Sequence, residues 1–302
     1  MISSIKVGSY ENLLGKSIYF RIILFICLPI HLFIDGNIVY ERTFVSGYIL
    51  LMILTGFAFW NTSQQFFISF LITLPHFYFN PVGFPEWQGF VIQWGAYFLI
   101  SFTTTLLIKK NIRERNNVIQ LIRVLANTLD SKDPYTANHS EKVARYSLMI
   151  AEEMGLSKKQ KEDIYIGGLL HDIGKIGVPE SILFKQSGLT DEEFEKIKMH
   201  PVIGFKILKD IPFFRENGIL DMILFHHERI DGNGYPKGLK GNEIPLVARI
   251  MAVADSYDAM TSNRIYREGR TREYAISEIT KNIGIRYDYD VVNAFLKTLN
   301  KE

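Results

Sequence analysis

The chain changes character between Ile108 and Lys109. Residues 1–108 contain four Lys/Arg and four Asp/Glu, against 34 and 32 in all 302 residues. They also hold all three Trp and 15 of the 22 Phe. Charged residues make up about 7% of this stretch and about 30% of the remainder, where ordinary soluble domains have about 25%. The chain therefore reads as two parts, and its length suits about two domains.

Four apolar runs, at about 18–34, 43–60, 64–80 and 90–108, fill the first part. Two of them, TFVSGYILLMILTGFAFW and FVIQWGAYFLISFTTTLLI, are 18 and 19 residues without a charge, about the length of a bilayer span. Arg21 interrupts the first run near its start, where a long side chain can snorkel to the headgroups. The third is short and contains Pro75 and His76. Four such runs with so few charges predict four transmembrane helices rather than a buried soluble bundle. Lys6, Lys16 and Arg21 precede or open the first span, and Lys109, Lys110, Arg113 and Arg115 follow the fourth. The loops near 35–42 and 81–89 have Arg42 as their single base. This basic excess predicts a multi-pass protein of the cytoplasmic (inner) membrane with both termini and the soluble part on the cytoplasmic side. The first run lacks the small-residue cleavage pattern of a signal peptide. His31 and His76 read as packed bundle histidines, the alternative being sensors of protons or a ligand.

A net charge of +2 gives no case for nucleic acid binding. The single Cys27 excludes an intrachain disulfide and a thiolate metal site. Any metal must be held by His and carboxylates. In the connector, 109–132, Ile112, Ile119 and Ala126 recur at seven residues, with Ile122 and Leu129 three residues after the last two. The seam has two readings, a parallel homodimeric coiled coil or an amphipathic helix packed on its own domain.

From residue 117 the apolar pattern is helical. EKVARYSLMIAEEMGL puts Val143, Tyr146, Ile150 and Met154 on one face, with Gly155 as C-cap. LTDEEFEKIKMHPVIGFKIL begins with a Thr190–Glu193 capping box. No alternating strand appears, so the class is all-α. This part holds five histidines, His139, His171, His200, His226 and His227, and two carboxylates on apolar helices, Asp172 and Asp255. A carboxylate so buried costs several kcal/mol unless paired or bound to a cation. Imidazole plus carboxylate suits Fe or Mn, and also Ni, Co or Zn. Seven donors are too many for one tetrahedral ion and suit two divalent ions with a bridging carboxylate. Asp258, three residues past Asp255, reads either as a group orienting a ligand or as a local cap, outside the metal set. His226 and His227 are adjacent, so both reach one ion only at a helix end or a distortion. The glycines that follow make such an end there.

The segments DPYTANHSEKVARYS, GGLLHDIGKIGVP, KMHPVIGFKIL, FHHERIDGNGYP and VARIMAVADSYDAMTSNRIYR resemble the HD-GYP family of metal-dependent cyclic di-GMP phosphodiesterases, a branch of the HD superfamily. The resemblance runs from about 117 to 299. It implies an all-helical HD-type metallophosphohydrolase domain, 117–302, which overlaps the connector, and does not identify the membrane half. The apolar runs are what predict the N-terminal four-helix transmembrane sensor domain, 1–108, with the HD-type domain cytoplasmic. By resemblance His139, His171, Asp172 and Asp255 ligate one metal. Asp172 bridges to a second, held by His200, His226 and His227. Lys175 resembles the lysine that meets the scissile phosphate, and Arg264 and Arg267 resemble the clamps on substrate phosphates. Members with a third metal carry a Glu one helical turn before the first His. That position is Tyr135 here, so two metals are expected.

The implied function is hydrolysis of cyclic di-GMP to linear pGpG, and onward to GMP if the second cleavage proceeds, by a two-metal-activated hydroxide. The alternatives are an HD-type hydrolase of another nucleotide and a non-catalytic cyclic dinucleotide receptor or scaffold. The DGNGYP loop with Tyr235 is expected to serve substrate access or docking of a partner signalling domain, against a purely structural turn.

Overall fold

The computed structural model describes residues 10–37, 45–79, 87–132, 138–183, 185, 187–215, 218–262 and 268–301. The chain divides into two compact units, Met1–Val118 and Ile119–Glu302. Its elements are helices. Among the described residues the one β interaction is an isolated bridge between Ile283 and Tyr287.

The first unit contains α1 (Tyr10–Asn37), α2 (Val45–Ala58), α3 (Thr62–Tyr78) and the start of α4 (Trp87–Lys132). Each expected span falls largely on one of these helices. By length and composition, however, two segments are able to cross a bilayer, Ser17–Asn37 and Trp87–Ser131. α2 is apolar but has 14 residues. It stops at Ala58 because the chain turns into α3, whose N-cap Asn61 accepts a bond from Ser63 N at 2.8 Å. α3 has 17 residues, with Pro75 inside it. The interior packs Leu24, Tyr48, Leu51, Met52, Ile72 and Tyr97. Polar Thr55, Ser69, Thr73 and His76 are buried as well, while Phe25, Phe33, Phe67 and Ile92 are exposed. His31 is also buried, its ring edge-on to Tyr48.

The connector continues α4 without a break. Within the second unit Ile119, Ile122 and Ala126 of the heptad seam are buried, and Arg123 Nη2 donates to Tyr165 Oη at 2.8 Å. Ile112 and Leu129 of the seam are half-buried.

The second unit continues with α5 (His139–Glu153), α6 (Lys158–Leu170), a 3-10 turn (Ile173–Gly177), α7 (Glu180–Leu183), α8 (Asp191–Lys198), α9 (His200–Leu208), α10 (Pro212–Arg215) and α11 (Ile219–Phe225). After the long loop come α12 (Leu246–Thr261), α13 (Arg272–Lys281) and α14 (Tyr289–Leu299). The caps fall where the side chains direct them. Gly155 ends α5 with φ of 71°, which costs a glycine nothing. Thr190 and Glu193 form the reciprocal capping box of α8. α5 and α12 lie at the centre of the unit, with Val143, Ile150, Ile250, Val253 and Phe295 almost fully buried.

Two glycines bring backbones close enough to assemble the polar centre. A Cβ on Gly168 of α6 would lie 2.5 Å from Ala144 Cα of α5. A Cβ on Gly174 would overlap the carbonyl oxygen of His200 and lie 2.5 Å from Gly204 N. The 3-10 turn after His171 and Asp172 can therefore press against the start of α9 only without a side chain. Gly174→Ala is expected to destabilise the protein by about 1–3 kcal/mol and to reduce its bound metal. A lower melting temperature and lower metal content of the purified full chain would show this, and unchanged values would refute it.

Candidate metal centre

The five histidines of the second unit all sit at helix ends. His139 opens α5, His171 follows α6, His200 opens α9, and His226 and His227 follow α11, which stops at Phe225. The adjacent pair escapes the divergence a continuing helix would impose. Their side-chain donors form two groups, His139–His171–Asp255 and His200–His226–His227, each with its donor atoms within 4.8 Å of one another.

Asp172 lies between the groups. Its Oδ2 is 3.4 Å from His171 Nε2 and 3.8 Å from His139 Nε2. Its Oδ1 is 3.2 Å from His200 Nε2. One carboxylate thus turns one oxygen to each group. Asp255 Oδ1 is 3.3 Å from His139 Nε2 and 4.0 Å from His171 Nε2. Lys175 Nζ lies 2.5 Å from Asp172 Oδ2.

The outer nitrogens explain which inner ones are free to ligate. His171 Nδ1 donates to Gly168 O at 2.7 Å, His200 Nδ1 to Ile197 O at 2.7 Å, and His226 Nδ1 to Ile223 O at 3.0 Å. A carbonyl can only accept, so these Nδ1 atoms carry protons, and it is Nε2 of each ring that faces inward and offers a lone pair whenever the ring is neutral. His200 Nε2 and His226 Nε2 face each other at 3.3 Å. His171 Nε2 is buried and makes no hydrogen bond. A cation in each group resolves both contacts, and the donor set of imidazoles and carboxylates fits divalent transition metals. The two buried His/Asp groups have the composition of a binuclear metal site.

The charges follow the same division. Burial alone would raise the pKa of Asp172 and Asp255. The positive charge of Lys175 and His171 around Asp172, and the bond from His139 to Asp255, outweigh burial and hold both carboxyls well below their usual range. Burial lowers His226 and His227, reinforced by their neighbouring imidazoles, and takes His227 down to about 3. Both stay neutral and able to ligate. Burial would also lower His139, but Asp255 and Asp258 raise it to about 10.

Asp258, outside the expected metal set, holds the ring of His139: its Oδ2 accepts from His139 Nδ1 at 2.7 Å. The signal was its position three residues past Asp255 on an apolar helix. Asp130 holds the same helix end, accepting from Ser140 Oγ at 2.8 Å and Ser140 N at 3.1 Å. Glu228 went unread. It is buried beside His227 and accepts the N–H groups of Lys237 and Leu239 at 2.7 and 3.0 Å, which fixes the loop after the histidine pair. Tyr235, in that loop, lays its ring 4.7 Å from the ring of His227. A cavity of about 480 Å³ opens there, lined among others by Phe194, Lys198, His227, Tyr235, Asp255 and Arg286. Its size is that of a small-molecule site. Arg264, Arg267 and Tyr135 lie outside the described residues.

Comparison with known proteins agrees with this centre. The model of the HD domain family matches residues 123–291. A cyclic di-GMP phosphodiesterase of Thermotoga maritima is 45% identical over 187 residues, covering 61% of this chain and 50% of the relative. A cyclic di-GMP phosphodiesterase response regulator of Xanthomonas campestris is 39% identical over 186 residues, covering 61% and 48%. A 3'3'-cGAMP-specific phosphodiesterase of Vibrio cholerae is 35% identical over 180 residues, covering 60% and 39%. The chain spans about half or less of the length of these relatives. With the family model matched over more than half of its residues, around two buried histidine groups that share a carboxylate, the chain belongs to the HD domain family.

Proposed function

We propose that the chain is a membrane-anchored phosphodiesterase of the HD-GYP branch that hydrolyses cyclic di-GMP to linear pGpG. The observation that carries this reading is the shared carboxylate, Asp172, with one oxygen toward each imidazole group at a cavity of nucleotide size. Relatives named as cyclic di-GMP phosphodiesterases supply the substrate. His139, His171 and Asp255 would hold one cation and His200, His226 and His227 the other, with Asp172 between them. Two divalent cations bound there supply water activation near neutral pH and charge neutralisation at the phosphoryl oxygens.

The remaining work belongs to side chains. Lys175 brings an ammonium to Asp172, where it neutralises a non-bridging phosphoryl oxygen or the leaving 3′ oxygen. Asp258 keeps the His139 ring turned so that Nε2 faces inward. Tyr235, over His227, offers an aromatic face to the substrate. Arg264 and Arg267 are assigned to phosphate contact on the resemblance of SNRIYR alone. The 3'3'-cGAMP-specific relative favours a second reading, cleavage of a mixed cyclic dinucleotide. Side-by-side turnover of the two substrates separates them.

The membrane reading extends from two spanning segments to four. α1–α4 cover the four apolar runs, and the unit encloses several polar side chains beside its apolar core while Phe25, Phe33, Leu50, Phe67, Ile92 and Leu107 are exposed. Lipid tolerates that outer surface and water does not. The basic residues after the fourth run then set the second unit on the cytoplasmic side of the membrane.

Three outcomes test this reading. The double substitution His171→Ala, Asp172→Ala is expected to abolish metal binding and cyclic di-GMP turnover together, and full activity in that variant would sink the model. Asp258→Ala is expected to weaken metal affinity about 10- to 100-fold, measured by competition with a chelator, with no change in affinity as the contrary result. Alkaline carbonate washing should leave the full chain in the membrane pellet, and its release into the supernatant would refute integral insertion.

A further inference from the structure

We propose that Arg286 is a substrate contact of this cavity and takes the phosphodiester that is not being cleaved. The inference rests on the phosphodiesterase reading above and extends it to a residue remote in sequence from every motif quoted there. A cyclic dinucleotide carries two phosphodiester anions. One meets the His/Asp groups and Lys175, and the other must find a positive partner inside the same enclosure or remain an uncompensated charge.

The cavity wall has three cationic side chains among the described residues, Lys198, Arg229 and Arg286. Two are engaged. Lys198 Nζ lies 2.6 Å from Glu195 Oε1. Arg229 grips Asp231 with both arms of its fork, at 3.0 and 2.5 Å. Arg286 makes no ion pair with a described carboxylate, and its side chain is exposed. Its backbone, by contrast, is tied down. Arg286 N donates to Asn282 O at 2.8 Å, Ile230 N donates to Arg286 O at 3.4 Å, and Asp231 N donates to Ile285 O at 2.9 Å. The turn between α13 and α14 is thereby fastened to residues 230–231, three and four residues past His227. A guanidinium carried on that turn is set beside the metal ligands before substrate arrives, and its planar fork matches two phosphate oxygens.

The test uses the full chain in detergent with two substrates, cyclic di-GMP and bis(4-nitrophenyl) phosphate, which has a single phosphodiester. Arg286→Gln is expected to raise KM for cyclic di-GMP about ten- to hundred-fold while leaving kcat, bound metal and hydrolysis of bis(4-nitrophenyl) phosphate near the parent values. The Kd of cyclic di-GMP for chelator-stripped enzyme, which reports no turnover, should rise by a similar factor. Arg286→Lys should recover part of the loss. If the parent enzyme cleaves cyclic di-GMP and Arg286→Gln leaves KM and Kd unchanged, this assignment is overturned while the phosphodiesterase reading stands. An equal loss on both substrates in both variants also overturns it, because the residue then acts on the fold. If the parent enzyme cleaves bis(4-nitrophenyl) phosphate but no cyclic dinucleotide, both readings fall together.

Discussion

The second unit is organised around the burial of one carboxylate. Asp172 is almost wholly removed from solvent, and an isolated charge there would cost several kcal/mol. The chain compensates by bringing α5, α6, α9 and α11 to it end-on. Their termini deliver His139, His171, His200 and His226, and the next turn of the main chain delivers Lys175. Helix ends serve this purpose better than helix middles, because a side chain at an end can point along the axis while the helix body packs elsewhere. The close approach at Gly174, where the 3-10 turn meets the start of α9, lets two of those ends reach the same carboxylate.

The two units differ in the side chains they leave exposed. In the second unit apolar α5 and α12 are enclosed and charges face outward. In the first, hydroxyls are enclosed beside an apolar core, and many large apolar groups face outward as well. Thr105 Oγ1 donates to Gly56 O at 2.7 Å, and Gln65 donates to Phe59 O at 2.5 Å. Such bonds satisfy polar groups where water has no access.

Much of the second unit was legible from residue type alone. Histidines and aspartates set in apolar helices have few ways to be satisfied, so their convergence followed from chemistry. The cap at Gly155 and the capping box at Thr190 followed from local rules that tertiary packing left in force. The connector shows where such rules stop. A heptad pattern records which face is apolar but not what covers it, and burial of Ile119, Ile122 and Ala126 suits a helix packed on its own domain as well as a paired one. Four apolar runs likewise overstated the span lengths, since a run counts Phe59 and Trp60 that lie beyond the end of α2. Glu228 and Arg286 were illegible for another reason. Their partners are backbone groups and an enclosed space, and neither leaves a mark in the one-dimensional pattern.

The way the imidazoles are oriented has an evolutionary consequence. His171, His200 and His226 are aimed by main-chain carbonyls three residues earlier in the chain, on α6, α8 and α11. No side-chain replacement removes those acceptors, so the geometry of these rings is inherited with the helices themselves. His139 is aimed by a side chain, Asp258. One half of the centre is therefore fixed by the fold, and the other carries a single adjustable residue. Drift or selection can retune the affinity of the adjustable half in one step without passing through a protein that has lost the other.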